Sequence, residues 1–357
     1  MKLCLVGGFL GSGKTTAILS ASKILSEENI SVAIVTNDQG KQLVDTALFN
    51  SAHLSNREVG NGCFCCNYEK FYDALLNLEK SASPDIIFAE AVGSCADLVA
   101  TIINPLRRFD PSVGIVFSVL ADANALLASL EGRSSFASEH IRYIYKKQLE
   151  EAGILVVNKS DSLIPNEVEH IRDALESEYP GKKLLFQDSR NEESIRQWVN
   201  LIKNSDSVDS SPSLNIDYEK YAQGEAALAW LDAIVTIQSK ENAIRKSFEF
   251  IDELFQAVAF ENLAIGHLKF FVESGDWSQK VSYTDKNIAA GTGWNNSRSS
   301  EYSRIIVNAR IETNPDRIER LFFQSLERCR DPHSKIDIEN LASFQPGYPK
   351  PTFRFAD

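Results

Sequence analysis

Short apolar runs alternate with amphipathic stretches through roughly the first 200 residues of the chain. The amphipathic stretches have helical spacing. The apolar runs predict six strands, at residues 3–6, 32–36, 85–89, 113–120, 154–157 and 184–186. Apolar strands separated by helices are typical of a parallel sheet that is covered by helices on both faces. The pattern therefore predicts an α/β domain with a mostly parallel sheet over residues 1–205.

The order of elements changes after a polar, serine-rich stretch around residues 203–213, and we place a linker at 206–222. Beyond it the pattern predicts four strands and two helices. The expected strands are 229–239, 265–273, 279–284 and 303–312, and the expected helices are 242–263 and 314–329. Asn314 is the expected N-cap of the last helix, with Pro315 as its first residue. We therefore expect a smaller α+β domain over residues 223–335 and a surface tail over 336–357.

Composition and charge exclude several classes of protein. Hydrophobic residues make up 43% of the chain and charged residues 24%, which is typical of a globular protein. No apolar run reaches the length of about 18 residues that a membrane helix needs, so we expect no membrane span. The net charge of -12 argues against a surface that binds polyanions, and we expect no nucleic-acid partner.

A glycine-rich motif at residues 8–15 follows the first predicted strand and precedes a predicted helix. Its sequence, Gly-Phe-Leu-Gly-Ser-Gly-Lys-Thr, fits the pattern G-x-x-x-x-G-K-[ST] of phosphate-binding loops. The N–H groups of such a loop and of the following helix face a phosphate group. We expect Lys14 to reach the β- and γ-phosphates and the Thr15 hydroxyl to bind Mg²⁺. The candidate nucleotide-binding residues are Gly8, Gly11, Ser12, Gly13, Lys14, Thr15 and Thr16.

A second motif, Asn158-Lys159-Ser160-Asp161, follows the predicted strand at 154–157. In GTPases the carboxylate of this motif accepts two hydrogen bonds from the guanine edge. Adenine has a different donor pattern and would leave the carboxylate unpaired, which is costly. Asn158, Lys159 and Asp161 are therefore candidate base-binding residues, and they favour GTP over ATP.

Three of the six cysteines, Cys63, Cys65 and Cys66, lie within four consecutive positions. This spacing is awkward for disulfides and suits a soft metal ion in a reducing compartment, so we expect a cytoplasmic protein. Thiolates favour Zn²⁺, and Co²⁺ and Ni²⁺ accept the same donors. The alternative is that the three side chains are small buried hydrophobic residues.

Five motifs in this order resemble the CobW-type family of GTPases, whose relatives include UreG and HypB. They are the phosphate loop, Asn-Asp-x-Gly at 37–40, Asn-Gly-Cys-Phe-Cys-Cys at 61–66, Glu-Ala-Val-Gly at 90–93 and Asn-Lys-x-Asp at 158–161. The resemblance covers roughly the first 200 residues. It implies a P-loop NTPase fold and a GTP-binding metallochaperone or a protein of cobalamin-related metabolism.

The resemblance also implies roles for individual residues. Asp38 stands at the position of an acidic switch residue that reaches Mg²⁺ or the transferred metal. Glu90 is expected to organise Mg²⁺ through water, and the Gly93 N–H to sense the γ-phosphate. Lys14, Asp38 and Glu90 are thus the candidate catalytic residues, and the Gly-Cys-x-Cys-Cys motif is the family's metal site.

Four other positions have weaker signals. Lys41 departs from the family pattern, which usually has Glu there, whereas the acidic residue at Asp45 remains. Cys95 has no motif role, and we expect a small core residue. The five histidines are scattered, and among them only His267, in a predicted strand, draws attention.

The leading hypothesis is a Mg²⁺-dependent GTPase that couples GTP hydrolysis to metal delivery or metalloenzyme maturation. Basal turnover is expected to be slow, because no arginine or glutamine is obviously placed to stabilise the transition state. The alternative is a GTPase helper of cobalamin or corrinoid metabolism with structural cysteines, and a small-molecule kinase is a third reading. The expected partner is a client metalloprotein or corrinoid protein, with a GTP-dependent homodimer as a further expectation.

Overall fold

Two β-sheets organise the part of the chain that the computed structural model describes. The described residues are 1–37, 40, 44–60, 62–134, 136–205, 212–285 and 298–356. None of the helices within these ranges has the length and apolar character that crossing a membrane requires.

The first sheet has seven parallel strands in the order β3-β2-β4-β1-β5-β6-β7. Its strands are β1 (Lys2–Gly7), β2 (Val32–Asn37), β3 (Ser55–Val59), β4 (Ile86–Glu90), β5 (Gly114–Asp122), β6 (Ile154–Asn158) and β7 (Lys183–Gln187). The expected α/β fold with a mostly parallel sheet is confirmed. Strand β3 is not among the predicted strands, because its sequence Ser-Asn-Arg-Glu-Val is largely polar and it lies at the edge of the sheet.

Eight α-helices of the described chain accompany this sheet. They are α1 (Lys14–Glu27), α2 (Val44–Ser51), α3 (Tyr68–Ala82), α4 (Asn104–Phe109), α5 (Ala123–Leu130), α6 (Glu139–Glu151), α7 (Pro165–Glu178) and α8 (Glu192–Asn204). The apolar sides of α1 and α8 cover one face of the sheet. Helices α3, α5, α6 and α7 contribute to the core on the other face. The sheet is therefore buried on both sides, which explains its uniformly apolar strands.

The second sheet has five antiparallel strands in the order β10-β9-β11-β8-β12. Its elements, with the helix that precedes it, are α9 (Tyr218–Ala226), β8 (Leu228–Ser239), α10 (Ala243–Phe260), β9 (Ile265–Ser274), β10 (Trp277–Tyr283), β11 (Tyr302–Glu312), α11 (Pro315–Cys329) and β12 (Ser334–Phe344). Helices α10 and α11 pack on one face. The Asn314 side chain caps α11, and Pro315 is its first residue.

The opposite face of the second sheet packs against the first domain. Phe271 and Ile306 form a small core with Val44 at the start of α2. The Val44 N–H donates to the Asn308 Oδ1 at 2.8 Å. Arg310 is fully buried, donates to the Asp232 Oδ1 at 2.8 Å and lies 3.8 Å from the centre of the Trp230 ring. The second sheet is thus joined to α2 by apolar and polar contacts.

The expected linker and tail differ from the structure. Residues 206–211 of the linker lie outside the described residues, but its end belongs to α9, which packs on α6. The beginning of the expected tail is strand β12, which pairs with β8. The sequence does not indicate this strand, because many of its residues are polar and partly exposed. It lies at the edge of the sheet beside β8, where few of its side chains have to be apolar.

The segment after β12 returns to the first domain. The Arg354 Nε donates to the buried Asp97 Oδ2 at 2.8 Å, and the Phe355 N–H donates to the Ala100 carbonyl at 2.8 Å. The Phe353 ring packs edge-on against Tyr68. These contacts depend on residues more than 200 positions apart, so no local pattern could indicate them.

Candidate nucleotide and metal sites

The phosphate loop connects β1 to α1 through backbone conformations that require glycine. Gly8 has φ 123° and Gly13 has φ 92°. A Cβ atom at Gly8 would lie 2.1 Å from the Leu120 carbonyl oxygen, and one at Gly13 would lie 2.2 Å from the Asn158 Nδ2. Only glycine fits at these two positions, so the loop can curl tightly against β5 and β6.

Lys14 lies at the first turn of α1 with its side chain folded back over the loop. Its Nζ donates to the carbonyl oxygens of Gly8 at 2.8 Å and Phe9 at 3.2 Å. Burial lowers the pKa of Lys14 to about 8, against the opposing effect of the Glu90 carboxylate. An anionic phosphate at this position would replace the carbonyl contacts and favour the charged ammonium.

Thr15, in the first turn of α1, contacts Glu90 at the end of β4. The Thr15 hydroxyl donates to the Glu90 Oε1 at 2.9 Å. The Glu90 Oε2 is buried and has no hydrogen-bond partner among the described residues. Burial, together with the charge of Asp45, raises the pKa of Glu90. A hydroxyl next to a carboxylate oxygen that lacks a partner suits Mg²⁺ and its water ligands.

Lys14, Thr15 and Glu90 line a cleft, which we call the nucleotide cleft. Gly11, Thr16 and Gly93, which the sequence also predicts as site residues, line the same cleft. Ser12 is buried, and its carbonyl accepts a hydrogen bond from the side chain of Asn158, the last residue of β6. Gly93 packs so closely that a Cβ there would lie 2.6 Å from the Leu10 Cδ2.

The Asn-Lys-x-Asp motif follows β6 and lies beside the phosphate loop. The Asn158 Nδ2 donates to the Ser12 carbonyl at 2.7 Å, and the Lys159 Nζ lies 2.5 Å from the Asp122 Oδ2. Asp161 lies in the next turn with its side chain exposed at the cleft. Asn158 thus holds the motif in a fixed position relative to the phosphate loop.

Ser189 lies at the end of the cleft next to Asn158, although it belongs to none of the sequence motifs. The Ser189 hydroxyl, just after β7, donates to the Asn158 Oδ1 at 2.6 Å. Ser189 and Arg190 both line the cleft. Their only sequence signal is their position after a predicted strand of a parallel sheet, the edge at which such sheets bind ligands.

The nucleotide cleft has a volume of 340 Å³, and the second domain borders the end of it next to the phosphate loop. His267, Lys269, Lys280 and Thr284 line it. Burial holds the pKa of His267 well below its usual range, so its imidazole is neutral. The sequence indicates strands at these residues but does not show that they face the nucleotide site.

Cys63, Cys65 and Cys66 form a compact sulfur cluster just before α3. The Sγ atoms lie within 4.8 Å of one another, with 2.8 Å between Cys63 and Cys65 and 3.9 Å between Cys65 and Cys66. Sulfur atoms that share a tetrahedral Zn²⁺ lie about 3.8 Å apart, because each Zn–S bond is about 2.3 Å long. The Sγ atoms of Cys63 and Cys65 would therefore have to move slightly apart to bind one zinc ion together.

The Asn37 side chain, at the end of β2, holds the cysteine loop in place. Its Nδ2 donates to the carbonyls of Val59 at 2.7 Å and Gly62 at 2.9 Å, and its Oδ1 accepts from the Phe64 N–H at 2.8 Å. Asn37 is buried and also lines the nucleotide cleft. One residue therefore borders both candidate sites.

Cys95 lies next to this cluster, although the sequence suggests only a small core residue. It is buried, and hydrogen bonds with the thiols of Cys63 and Cys65 lower the pKa of Cys95 to about 7. No spacing pattern could reveal this contact, because Cys95 approaches from the segment after β4.

The C-terminal segment borders the sulfur cluster. The Thr352 N–H donates to the Cys65 carbonyl at 2.8 Å. A cavity of 360 Å³ beside Cys63 and Cys66 is lined by Glu225 of α9 and by residues 346–349. The Glu225 Oε1 accepts from the Ser94 hydroxyl at 2.6 Å. The half-buried Cys66 is thus the cysteine of the cluster that is nearest to solvent.

Two residues of the switch segment that the sequence singles out lie outside the described residues. Asp38, a predicted catalytic and Mg²⁺-binding residue, is one, and Lys41 is the other.

The family model described as the CobW/HypB/UreG nucleotide-binding domain matches residues 2–186. The chain is 32% identical over 169 residues to the zinc chaperone YeiR of Escherichia coli (strain K12), covering 45% of this chain and 47% of that protein. It is 24% identical over 218 residues to the zinc chaperone CobW of Pseudomonas aeruginosa, covering 54% and 57%. The chain spans about half the length of the curated relatives it matches.

Among solved structures, the hydrogenase maturation factor HypB from Archaeoglobus fulgidus aligns with a TM-score of 0.41 and 16% identity. The alignment covers 57% of this chain and 89% of that chain.

We expect Lys14→Ala to reduce nucleotide hydrolysis by about a hundredfold or more, the scale of losing a charged donor to the transferring phosphate. It should also weaken nucleotide binding, because only the backbone of the loop would remain to offset the phosphate charge. Phosphate release and nucleotide titration measure the two effects. Lys23→Ala, on the exposed side of the same helix, is the control. Hydrolysis by Lys14→Ala at the unmodified rate would show that Lys14 is not a phosphate ligand.

Proposed function

Since the chain belongs to the CobW/HypB/UreG family, we propose that it is a Mg²⁺-dependent GTPase that carries a zinc-type metal and couples GTP hydrolysis to its delivery. Cys63, Cys65 and Cys66 would hold the metal. The observation that carries the proposal is the position of Asn37, a residue that lines the nucleotide cleft and whose side chain is hydrogen-bonded to the cysteine loop.

The base-binding part of the proposal rests on the Asn-Lys-x-Asp segment. Asn158 fixes this segment against the phosphate loop, and the Asp161 carboxylate is exposed at the cleft. In this position the carboxylate would accept hydrogen bonds from the guanine edge, and the stem of Lys159 would lie along the base. Adenine would leave the carboxylate without donors.

The hydrolytic part rests on Lys14, Thr15 and Glu90. Lys14 would contact the β- and γ-phosphates after leaving the carbonyls that it contacts now. Thr15 and Glu90 would hold Mg²⁺, Glu90 through water, and Asp38 would complete this set. When bound, Mg²⁺ neutralises charge that develops on the phosphate oxygens. The buried Glu90 oxygen without a described partner supports this assignment.

The proposed coupling between the nucleotide and the cysteine loop rests on the connection of Asn37 to Asp38 along the chain. Asn37 is the last residue of β2 and directly precedes Asp38. A γ-phosphate with its Mg²⁺ orders switch segments in GTPases, and hydrolysis releases them. Movement of the chain at Asp38 would reach the cysteine loop through the three hydrogen bonds of Asn37. The geometry of the sulfur cluster, and hence its metal affinity, would then depend on the nucleotide.

Delivery would take place from the side of Cys66. Three thiolates leave one tetrahedral position of a zinc ion open to an incoming ligand. The cavity next to Cys63 and Cys66 provides space for a ligand from a client metalloprotein. Metal could then be transferred by ligand exchange without unfolding the cysteine loop.

Base specificity is tested by Asp161→Asn. We expect GTP affinity to fall about ten- to a hundredfold, the scale of hydrogen bonds to a charged group. Xanthine nucleotide should become a better ligand, because the new amide can donate to the xanthine carbonyl. Competition among GTP, ATP and XTP measures both effects, with the exposed Asp173→Asn as control. Equal affinity of the unmodified protein for ATP and GTP would contradict a guanine site.

Metal binding is tested by zinc titration of protein loaded with a non-hydrolysable GTP analogue, with GDP, or without nucleotide. We expect one zinc ion per chain, lost when Cys63, Cys65 and Cys66 are all replaced by Ser, and an affinity that differs between the nucleotide states. By linkage, zinc must change GTP-analogue affinity by the same factor. Cys329→Ser, in the core between α11 and the second sheet, is the control. Equal zinc affinity in all states would leave only a structural metal site.

A further inference from the structure

Two lysines of the second domain meet one carboxylate of the first domain at the phosphate end of the nucleotide cleft. The Lys269 Nζ lies 2.5 Å from the Asp45 Oδ2, and the Lys280 Nζ lies 3.0 Å from the Asp45 Oδ1. Each carboxylate oxygen therefore has its own ammonium group. Asp45 belongs to the first turn of α2, shortly after the Asn-Asp-x-Gly motif.

The sheet places both lysines on the same face. Strands β9 and β10 are antiparallel, with Lys269 opposite Ser282 and Lys280 opposite Phe271. The two lysines are thus diagonal neighbours on the sheet. The same hairpin contacts the phosphate loop, since a Cβ at Gly11 would lie 2.6 Å from the Thr284 Cγ2. The ammonium groups are held beside the loop by strand pairing.

The three side chains are largely buried, with exposed fractions of 13% for Lys269, 19% for Lys280 and 18% for Asp45. Burial acts to raise the pKa of Asp45, but the two ammonium groups outweigh it and hold that pKa well below its usual range. Asp45 is therefore ionised at neutral pH. Buried ions of this kind interact strongly with a further charge that enters the site.

Lys269 also acts on the groups proposed to bind phosphate and Mg²⁺. Its charge contributes to lowering the pKa of Lys14 and opposes the raised pKa of Glu90. The described residues at this end of the cleft therefore bring together three ammonium groups, those of Lys14, Lys269 and Lys280. Their two carboxylate neighbours are Asp45 and Glu90. Such a site favours an additional anion.

We propose that Lys269 and Lys280 bind the terminal phosphate of a nucleoside triphosphate, and that Asp45 occupies their ammonium groups when this phosphate is absent. The proposal rests on the nucleotide site described above. It makes the second domain a sensor of the terminal phosphate, because the two lysines would exchange a carboxylate on α2 for a phosphate on the nucleotide. It also adds two cations to Lys14, the cation that the phosphate loop itself supplies.

The exchange predicts opposite effects for the two partners of the ion pair. Lys269→Met removes a phosphate ligand, whereas Asp45→Asn removes the competitor of the phosphate. A pair that only joins the two domains predicts the same sign for both substitutions, since either one breaks it. The ratio of affinities for a GTP analogue and GDP therefore separates phosphate recognition from general stabilisation.

The experiment is a titration of the full chain with a non-hydrolysable GTP analogue and with GDP, each with Mg²⁺. We expect Lys269→Met to weaken binding of the analogue about ten- to a hundredfold, the scale of a hydrogen bond between charged groups. GDP binding should change much less. Asp45→Asn should tighten binding of the analogue and leave GDP nearly unchanged. Lys335→Met, an exposed lysine on β12, should change neither affinity.

Weaker analogue binding by Asp45→Asn, or an equal loss of analogue and GDP by Lys269→Met, would overturn the proposal. Thermal unfolding of each variant establishes that it is folded. If Lys269→Met does not fold, the nearly isosteric Asp45→Asn decides alone by the sign of its effect. Failure of the unmodified protein to bind either nucleotide would instead overturn the proposed function, and this inference with it.

Discussion

Asn37 lies between the two candidate sites. Its three hydrogen bonds hold the backbone of the cysteine loop on one side, while the residue lines the nucleotide cleft on the other. The parallel sheet determines this position, because Thr36 pairs with Glu90 and Asn37 pairs with Val59. The carboxyl ends of β1, β2 and β4 thus place the phosphate loop, Asn37 and Glu90 along one edge. The candidate nucleotide site and the sulfur cluster are therefore neighbours at this edge, with Asn37 between them.

The second domain adds charge to this edge from outside the parallel sheet. Helix α2 lies between the domains, with Val44 packed on Phe271 and Ile306 and Asp45 bound by two lysines. The C-terminal segment reaches the opposite side of the cysteine loop through Thr352. The second sheet therefore contacts α2, and the C-terminal segment contacts the cysteine loop. In the proposed mechanism, a change at the terminal phosphate acts on α2 through the two lysines and on the cysteine loop through Asn37.

The sequence predicts the parts of this structure that depend on local chemistry. The phosphate loop is such a case, because the positive φ angles of Gly8 and Gly13 are a local property of the backbone that favours glycine. The apolar strands follow from burial on both faces, whereas β3 and β12 escape prediction because they are polar edge strands. The approach of Cys95 to Cys63, and of Lys269 to Asp45, depends on tertiary packing across long sequence separations. Such contacts leave no periodic or motif signal.

The most direct test of the link between the two sites is the zinc affinity of Asn37→Ala, measured with a GTP analogue and with GDP. The three cysteines remain, so this variant should still bind zinc. The two affinities should become nearly equal, because the cysteine loop loses its three hydrogen bonds to the Asn37 side chain. Asn56→Ala, in the neighbouring strand β3, should keep the difference seen in the unmodified protein. An Asn37→Ala protein that retains the full difference between the two nucleotide states would contradict the proposed coupling.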